Sequence, residues 1–395
     1  MNFTVSEEME TLIATIRRFI AAELKPLEQE VEDDGFLAPE KAQEIFEKSK
    51  ALGLYAMNVP ENLGGAGLTA LETMMVEEQF GHTTDILVRR AFGNVYEVLF
   101  IANEIQKQRW LLPTVRGERT ASIAITEPEA GSDAAAIQTR AVKIPNGWRL
   151  TGKKHFISDG LFSDYFIVSA VTDPTAGSRG ISLFLVDKDS PGLALGKDQM
   201  MMGLRGTSHL ELFFDDVALT AENLLGAEGT GFKQILTTLG RVRLAQVGAR
   251  SVGKASHILD MMIDYANNRY QFKKPLGEFQ MVQQMIADSV IDVNAARALL
   301  HRAAWEVDSD REDRDWISMV KVHAAEAANR VADRAVQIFG GMGYCKELSI
   351  ERYYRDVRIT RIYDGASEIH RTVIARDALK NGKALFDSIP SGGWR

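Results

Sequence analysis

Residues 337–371 read QIFGGMGYCKELSIERYYRDVRITRIYDGASEIHR, and this stretch carries most of the information about the fold. Gly340 and Gly341 stand at the end of a predicted helix, where the lack of a side chain would let another chain or a cofactor approach the backbone closely. Asp364 precedes a glycine in a turn signal, and Ser367 could cap the helix that follows. On these residues alone, a structural turn is the better interpretation of Asp364.

The chain around this stretch is predicted to form long amphipathic helices. Apolar residues recur at helical spacing through three long segments, and a last helix follows Ser367. Helices of this length suit a bundle of antiparallel helices. The three segments are residues 232–267, 279–307 and 317–339.

Residues 120–216 have the pattern of a β domain. Short runs rich in β-branched and aromatic residues are separated by turn-forming clusters, and the runs do not alternate with helices as a nucleotide-binding βαβ fold requires. The residues before this region are helical in pattern. Thr4 and Glu7 form a possible capping box at the start, and Pro113 is predicted to break the helical pattern near its end.

The chain of 395 residues is therefore predicted to fold as three domains in the order helical, β, helical. The predicted domains are an N-terminal helical domain over residues 1–118, a middle β domain over 119–228 and a C-terminal helical bundle over 229–395.

Composition excludes several classes of protein. Hydrophobic residues make up 45% and charged residues 25%, which is ordinary for globular proteins and unlike disordered or collagenous chains. The net charge of −8 argues against electrostatic binding to nucleic acid. The single cysteine, Cys345, predicts no internal disulfide and fits a reduced compartment. No secretory signal and no apolar run of about 20 residues is recognisable, so we expect a cytoplasmic protein without a membrane span.

Known nucleotide, phosphate, zinc and hydrolase motifs are missing, and the seven histidines lack metal-ligand spacing, so no metal site is predicted. Two further stretches stand out. In AITEPEAGSD, residues 124–133, the backbone N–H groups and the hydroxyls of Thr126 and Ser132 either face a ligand or belong to an ordinary loop. In RYQFKKPLGEFQ, residues 269–280, Arg269 either pairs with a phosphate or is a surface residue at a helix end.

Taken together, the three stretches resemble the acyl-CoA dehydrogenase family, and the resemblance covers nearly the whole chain. It implies an α+β multidomain fold with an N-terminal helical domain, a middle β domain like a barrel or sandwich, and a C-terminal four-helix bundle. It also implies FAD bound between the β domain and the bundle, a homo-oligomer built as a dimer of dimers, and an acyl-CoA substrate. The electron acceptor would be an electron-transfer flavoprotein.

The resemblance assigns roles residue by residue. Ile125 and Thr126 would contact the flavin ring, Phe156 would cover one face of it, and Ser158 would reach its N5 side. Ser132 would contact the cofactor phosphates or the thioester tail, and Arg243 would take the role of the family's CoA-side arginine, with Arg241 as the alternative. The other implied cofactor-binding residues are Arg269, Gln271, Phe272, Gln337, Gly340 and Gly341, toward the FAD of a neighbouring subunit, with Ala366 and Glu368; Tyr363 and Gly365 are implied substrate-binding residues.

The implied reaction is α,β-dehydrogenation of an acyl-CoA thioester, and the family's catalytic base falls on Asp364. The family's usual residue is Glu, so the side chain here is shorter by about 1.5 Å. The alternative base position on the bundle helix is closed, because Gly240 and Val242 are not acidic. The thioester carbonyl would be polarised by the backbone N–H of Asp364 and a ribityl hydroxyl of FAD.

The aspartate leaves other chemistries open. A nitroalkane oxidase-like, desulfinase-like or acyl-CoA reductase-like flavoenzyme is the main alternative, and a non-catalytic flavoprotein that binds nucleic acid is a weak one. Arg89 and Arg90 suggest a further hypothesis, in which one of them meets a polar or carboxylate acyl tail; the competing interpretation is that both are solvated surface residues.

Overall fold

The computed structural model describes residues 4–93, 95–309 and 314–382. The chain forms two compact units, each built from segments that are distant in sequence. We call the first the bundle unit and the second the sheet unit. The bundle unit comprises Met1–Leu27, Thr69–Thr84 and Val242–Arg395, and the sheet unit comprises Glu28–Leu68 and Asp85–Arg241.

The helices confirm the predicted order of helical, β and helical regions. Within the described ranges, three short segments are π-helical rather than α-helical: Ile20–Leu24, Lys107–Leu111 and Arg243–Ala249. The α-helices are α1 (Glu7–Phe19), α2 (Glu28–Asp34), α3 (Pro39–Ala51), α4 (Ala70–Phe80), α5 (Asp85–Phe92), α6 (Glu104–Gln106), α7 (Leu112–Val115), α8 (Gly231–Val242), α9 (Arg250–Asn268), α10 (Gln280–Asp308), α11 (Arg314–Phe339), α12 (Gly341–Tyr344), α13 (Ile350–Arg358) and α14 (Ser367–Asn381).

In the bundle unit, α9, α10 and α11 pack around a core rich in alanine and valine, and α4, α13 and α14 pack on the same helices. Small side chains let the helices approach closely. The closest approach is between α9 and α4, where a Cβ on Gly253 would lie 1.7 Å from the main-chain oxygen of Glu78. Only glycine fits there, because any side chain would force the two helices apart.

In the sheet unit, eight of the described strands form one sheet with the order β6-β7-β3-β2-β4-β5-β8, and β1 pairs in parallel with β4. Strands β4 and β5 are buried almost throughout, whereas β3 and β7 alternate between buried and open positions. The strands are β1 (Ala121–Ala124), β2 (Arg140–Ile144), β3 (Gly147–Ser158), β4 (Tyr165–Val171), β5 (Ile181–Asp187), β6 (Leu193–Asp198), β7 (His209–Leu219), β8 (Leu224–Leu225), and in the bundle unit β9 (Tyr270–Gln271) and β10 (Lys274–Pro275).

Three local predictions were wrong. The cap of α1 is Ser6 and not Thr4, since the Ser6 side chain accepts a hydrogen bond from the backbone N–H of Met9. Pro113 does not end the helical region, because it lies within α7, which follows the π-helical segment directly and continues to Val115. Ser367 does not cap α14 either: Ala366 precedes the helix, and the buried Ser367 hydroxyl has no partner among the described residues.

Among the described residues, no helix is long and apolar enough to cross a membrane. They also contain no group of three or more His, Cys, Asp or Glu side chains that could hold a metal ion.

Candidate functional site

The predicted flavin contacts of the sheet unit lie on two neighbouring segments, the end of β1 and the end of β3. The backbone N–H of His155 donates to the main-chain oxygen of Thr126 over 2.8 Å. The Lys154 ammonium donates to the main-chain oxygen of Ile125 over 2.9 Å. At the far end of β3, the Ser122 hydroxyl donates to the main-chain oxygen of Ser158 over 2.6 Å. These bonds hold the two segments side by side.

A buried ion pair beneath these segments is a part of the site that the sequence analysis missed. Lys154 Nζ lies 2.8 Å from Glu127 Oε1, and the side chains are 0% and 2% exposed. Burial lowers the pKa of Lys154 to about 8, although Glu127 opposes the shift. Burial alone would raise the pKa of Glu127, but Lys154 and the bonds from residues 138 and 139 hold it below its usual value. The feature of the sequence that could have indicated this pair is a lysine within the segment that forms β3.

Phe156 is held in an unusual conformation and faces outward. Its φ is 57°, in the left-handed region that side chains disfavour, and 49% of the residue is exposed. The His155 ring stacks on it at a centroid distance of 3.9 Å and an angle of 6°. Strained backbone under an exposed aromatic ring is typical of a binding surface. Ser132, the remaining predicted residue of this unit, lies exposed on the loop after β1.

Arg89 and Arg90 are not solvated surface residues, and both are already ion-paired. Arg89 Nε lies 2.6 Å from Asp85. Arg90 makes a bidentate pair with Asp159 at 3.0 and 2.5 Å, and its guanidinium lies over the ring of Phe162 at 4.3 Å. Each cation has a carboxylate partner within the sheet unit. The hypothesis that one of them binds an acyl carboxylate is therefore no longer needed to explain how its charge is compensated. Arg90 instead fixes the segment that follows Ser158.

In the bundle unit, the loop before α14 places Asp364. Its φ is 54°, again in the left-handed region, and Gly365 follows at 92°. The main-chain oxygen of Asp364 accepts two hydrogen bonds, from Arg243 Nε at 2.7 Å and from the His370 ring nitrogen Nε2 at 3.1 Å. Arg243 begins the π-helical segment before α9, a helix type that often marks functional sites. Between the two candidate arginines, Arg243 is thus the one that contacts this loop.

The other predicted residues around Asp364 occupy the same turn. Tyr363 and Gly365 flank it and are half-buried, and Ala366 ends the loop as the residue before α14. Glu368 lies in the first turn of α14 and is exposed. A carboxylate in the first turn is favoured there by the helix dipole, which is a sufficient structural reason for its presence.

Lys321, on α11, is a buried cation near this loop that the sequence analysis also missed. The residue is 0% exposed, and within the described residues its ammonium has no hydrogen-bond partner. Burial lowers the pKa of Lys321 to about 8; Asp364 favours its charged form, Arg243 opposes it, and Glu368 and Glu326 add smaller favourable contributions. An unpaired buried ammonium is expensive, so its presence calls for a functional explanation.

Replacing Lys321 by Met should raise the thermal stability of the protein at pH 7 by a few degrees. The depressed pKa corresponds to a cost of about 3 kcal/mol for keeping this ammonium charged in the folded state. Since the unfolded chain binds the proton up to pH 10.5 and the folded chain only up to about pH 8, the stability of the parent protein rises between those values. The melting temperature of FAD-loaded Lys321→Met should therefore exceed that of the FAD-loaded parent by less as the pH rises through this interval.

Lys321→Arg serves as the control, because arginine stays charged over this pH range. Its melting temperature should therefore fall further below that of the parent as the pH rises from about 8 to 10.5. A melting temperature for Lys321→Met below that of the parent at pH 7 would contradict the assigned cost.

The third group of predicted residues is exposed on the bundle unit. Strands β9 and β10 form a hairpin whose two central residues, Phe272 and Lys273, have φ values of 50° and 66°. Such turns normally use Asn-Gly, because a β-carbon is disfavoured at both positions. Phe272 is 88% exposed, which is unusual for an aromatic side chain held in strained backbone. Also exposed are Arg269, Gln271, Gln337, Gly340 and Gly341.

The two glycines of this group lie at an open surface. Gly340 has a φ of 60°, and a Cβ built on Gly340 or Gly341 would meet nothing within 4 Å. No neighbour within the described chain therefore explains both glycines, which leaves room for another molecule to approach the backbone.

Comparison with known proteins gives one consistent result. Relatives include the acryloyl-CoA reductase (NADH) of Anaerotignum propionicum, 36% identical over 96% of this chain and 96% of that protein. The mitochondrial short-chain specific acyl-CoA dehydrogenase of Rattus norvegicus is 37% identical over 95% of this chain and 91% of its own length. The structure of butyryl-CoA dehydrogenase from Megasphaera elsdenii matches with a TM-score of 0.89 and 32% identity, covering 96% of this chain and 100% of that one.

Three family models match in the order that the fold requires. The acyl-CoA dehydrogenase N-terminal domain matches residues 6–118, the middle domain residues 122–217 and the C-terminal domain residues 229–379. The chain belongs to the acyl-CoA dehydrogenase family.

Proposed function

We propose that this FAD-dependent oxidoreductase dehydrogenates an acyl-CoA thioester with Asp364 as the base that removes the α-proton. The observation that carries the proposal is the loop of Asp364. Two donors, Arg243 and His370, hold its main-chain oxygen, and the residue keeps a left-handed φ of 54°. Both bonds go to the main chain, so they fix the backbone from which the carboxylate projects. Strain maintained by several fixed contacts is a feature of catalytic positions.

The proposed reaction breaks two C–H bonds and forms one C=C bond. The Asp364 carboxylate takes the proton from the α-carbon, and the electron pair left behind forms the double bond as hydride departs from the β-carbon. FAD supplies the two-electron acceptor for that hydride when it is bound. The backbone N–H of Asp364 would donate to the thioester oxygen, where negative charge develops.

The residues of the sheet unit fit a flavin. A flat, partly apolar ring needs an exposed apolar face and hydroxyl groups at its rim, and Phe156, Thr126 and Ser158 offer these on two segments held together by main-chain bonds. Ile125 and Ser132 would complete the contacts to the ring and to the phosphates. In the bundle unit, Ala366 and Glu368 are proposed as further contacts near the base, and Tyr363 and Gly365 as contacts of the substrate.

A second copy of the chain is part of the proposal. The exposed group described above, with Phe272 at its most open point, would bind the FAD of a neighbouring subunit in a homotetramer. Full FAD binding would then require assembly, and a monomeric form should lose the cofactor. An electron-transfer flavoprotein is the proposed oxidant, in keeping with the resemblance of the sequence.

One finding favours a second candidate function. The acryloyl-CoA reductase of A. propionicum is 36% identical to this chain, which supports the same chemistry run toward the saturated thioester. In that direction a protonated Asp364 would deliver the α-proton. Reoxidation of the reduced protein by an enoyl-CoA, at a rate well above that of reduction of the oxidised protein by the corresponding saturated acyl-CoA, would support this function.

The experiment that tests the proposed function is an anaerobic titration of the FAD-loaded protein with saturated acyl-CoAs, from propionyl-CoA to palmitoyl-CoA, followed by flavin absorbance. Bleaching by one of them would support dehydrogenation and identify the acyl chain. If no thioester bleaches a protein that holds FAD, and a nitroalkane does, Asp364 serves another chemistry and the proposal fails.

Replacing Asp364 by Glu should lower the rate of flavin reduction by about 100-fold, because a group misplaced by about 1 Å loses that much. The added methylene lengthens the side chain by about 1.5 Å, and the main chain cannot retreat while Arg243 and His370 hold the carbonyl. Stopped-flow reduction by butyryl-CoA measures the effect. A faster reduction in Asp364→Glu than in the parent would show that the site is not built around the shorter side chain.

A further inference from the structure

His370 makes a hydrogen-bonded chain that ends on the main chain of Asp364. The residue is 4% exposed. Its Nε2 lies 3.1 Å from the main-chain oxygen of Asp364, and its Nδ1 lies 3.0 Å from the hydroxyl oxygen of Ser318 on α11. A carbonyl oxygen only accepts, so Nε2 must carry the proton. In the neutral ring Nδ1 then accepts from the Ser318 hydroxyl. The two partners therefore select one tautomer and one orientation of the ring.

The ring stays in this neutral form at ordinary pH. Burial lowers the pKa of His370 to about 4, the bond to Asp364 opposes that shift, and the nearby cations Arg243 and Lys321 reinforce it. Nδ1 can therefore accept from the Ser318 hydroxyl, with Nε2 donating to Asp364, throughout the pH range in which an acyl-CoA dehydrogenase would be assayed. The geometry, and not the titration of the ring, is what matters for the loop.

The same ring limits the position of the next residue. A Cβ on Gly365 would lie 2.8 Å from His370 Nε2, so the ring packs directly against the glycine backbone. Arg243 Nε donates to the same Asp364 oxygen from the π-helical segment, over 2.7 Å. With both lone pairs of that oxygen engaged and φ fixed at 54°, the direction of the Cα–Cβ bond of Asp364 is fixed as well.

A short carboxylate depends on its backbone more than a long one does. Aspartate has one rotatable bond fewer than glutamate, so a shift of its Cα is passed to the carboxylate with less opportunity for adjustment. We propose that His370, oriented by Ser318, is a positioning residue that holds Asp364 where its short side chain reaches the substrate α-carbon. This inference rests on the proposed function of Asp364 as the base.

The test compares His370→Leu with His370→Gln in the FAD-loaded protein. The probe is butyryl-CoA, or the panel thioester that reduces the parent flavin. Leucine removes the donor, and misplacement of the loop should lower the rate constant of flavin reduction by roughly 10- to 100-fold with an unchanged Kd for the thioester. Glutamine can donate to the Asp364 oxygen and accept from Ser318, so it should recover at least about 10-fold of that loss.

Two further variants separate positioning from general damage. His257→Leu removes another histidine of the bundle unit, which contacts Lys25 and meets the ring of Tyr353 edge to face, and it should leave the rate constant unchanged. Ser318→Ala frees Nδ1 of His370 and should lower the rate below that of the parent, by less than His370→Leu does. If the leucine variant does not fold, a parent-like rate in Ser318→Ala would overturn the inference.

The double variant Asp364→Asn with His370→Leu separates this inference from the proposed function. If His370 acts through Asp364, the second substitution should slow the residual reaction by less than about 2-fold, because the two effects do not add. A parent-like rate in His370→Leu, or an equal loss in His370→Gln, would overturn the inference while leaving the base assignment intact. A parent-like rate in Asp364→Asn alone would overturn both.

Discussion

Replacing Asp364 by Asn should slow flavin reduction by a saturated acyl-CoA on the order of 1,000-fold, the scale on which general bases contribute. Asparagine has nearly the same shape but cannot accept a proton at neutral pH. The hydrogen bonds from Arg243 and His370 go to the main-chain oxygen, so the loop should keep its position. FAD binding, melting temperature and the Kd for the thioester should therefore change little. Stopped-flow reduction and the flavin spectrum measure these quantities on one sample.

The control is Asp333→Asn, which removes an exposed carboxylate of α11 away from the loop and should leave reduction unchanged. Reduction of Asp364→Asn at the parent rate would show that another group takes the proton. Loss of FAD from Asp364→Asn would instead assign the residue a structural role, and the low activity would then say nothing about a base.

Much of the fold follows from the sequence because local pattern determines it. The long bundle helices end within a few residues of the predicted bounds, as in α10 and α11, because their apolar spacing and their flanking loops agree. The all-buried strands β4 and β5 were visible as runs of β-branched and aromatic residues. The cap of α1 was misplaced by two residues because Thr4 and Ser6 are both good caps, and only the helix start decides between them.

The contacts that build the candidate site could not be predicted in the same way. Arg243 and Asp364 are 121 residues apart, Arg90 and Asp159 are 69 apart, and Lys154 and Glu127 are 27 apart. No local periodicity links residues at such separations; they meet because strands pair and helices pack. The division of the first helices between two units has the same cause, since α1 and α4 pack within the bundle unit whereas α3 and α5 pack within the sheet unit.

The positive φ values could not be predicted from the sequence either. Phe156 and Phe272 have side chains that disfavour the left-handed region, so sequence preferences argue against what the structure adopts there, whereas an aspartate such as Asp364 enters this region more readily. The family resemblance assigns all three positions to the cofactor or to catalysis. A binding site or a catalytic loop is one cause of a conformation that local preference disfavours.

Replacing Lys154 by Met should destabilise the sheet unit by about 3 to 5 kcal/mol, the cost of leaving a buried carboxylate without its cation. Lys154 Nζ donates to Glu127, to Ser169 and to the main-chain oxygen of Ile125, so the substitution also releases the segment proposed to contact the flavin ring. We therefore expect a lower melting temperature together with weaker FAD binding, measured by thermal unfolding and by the flavin retained after gel filtration.

The neighbouring residue supplies a matched control. Lys153 forms an ion pair with Glu129 at 3.1 Å, but both side chains are about half exposed, and pairs of this kind contribute about 0 to 1 kcal/mol. Lys153→Met should therefore leave melting temperature and flavin content close to the parent. In the double variant Lys154→Met with Glu127→Gln, removing the stranded charge should restore part of the stability but not the donor to Ile125. Full FAD retention in Lys154→Met would show that the ion pair does not contribute to FAD binding. Recovery of FAD binding in the double variant would show that FAD binding depends on the uncompensated charge of Glu127 and not on the bond to Ile125.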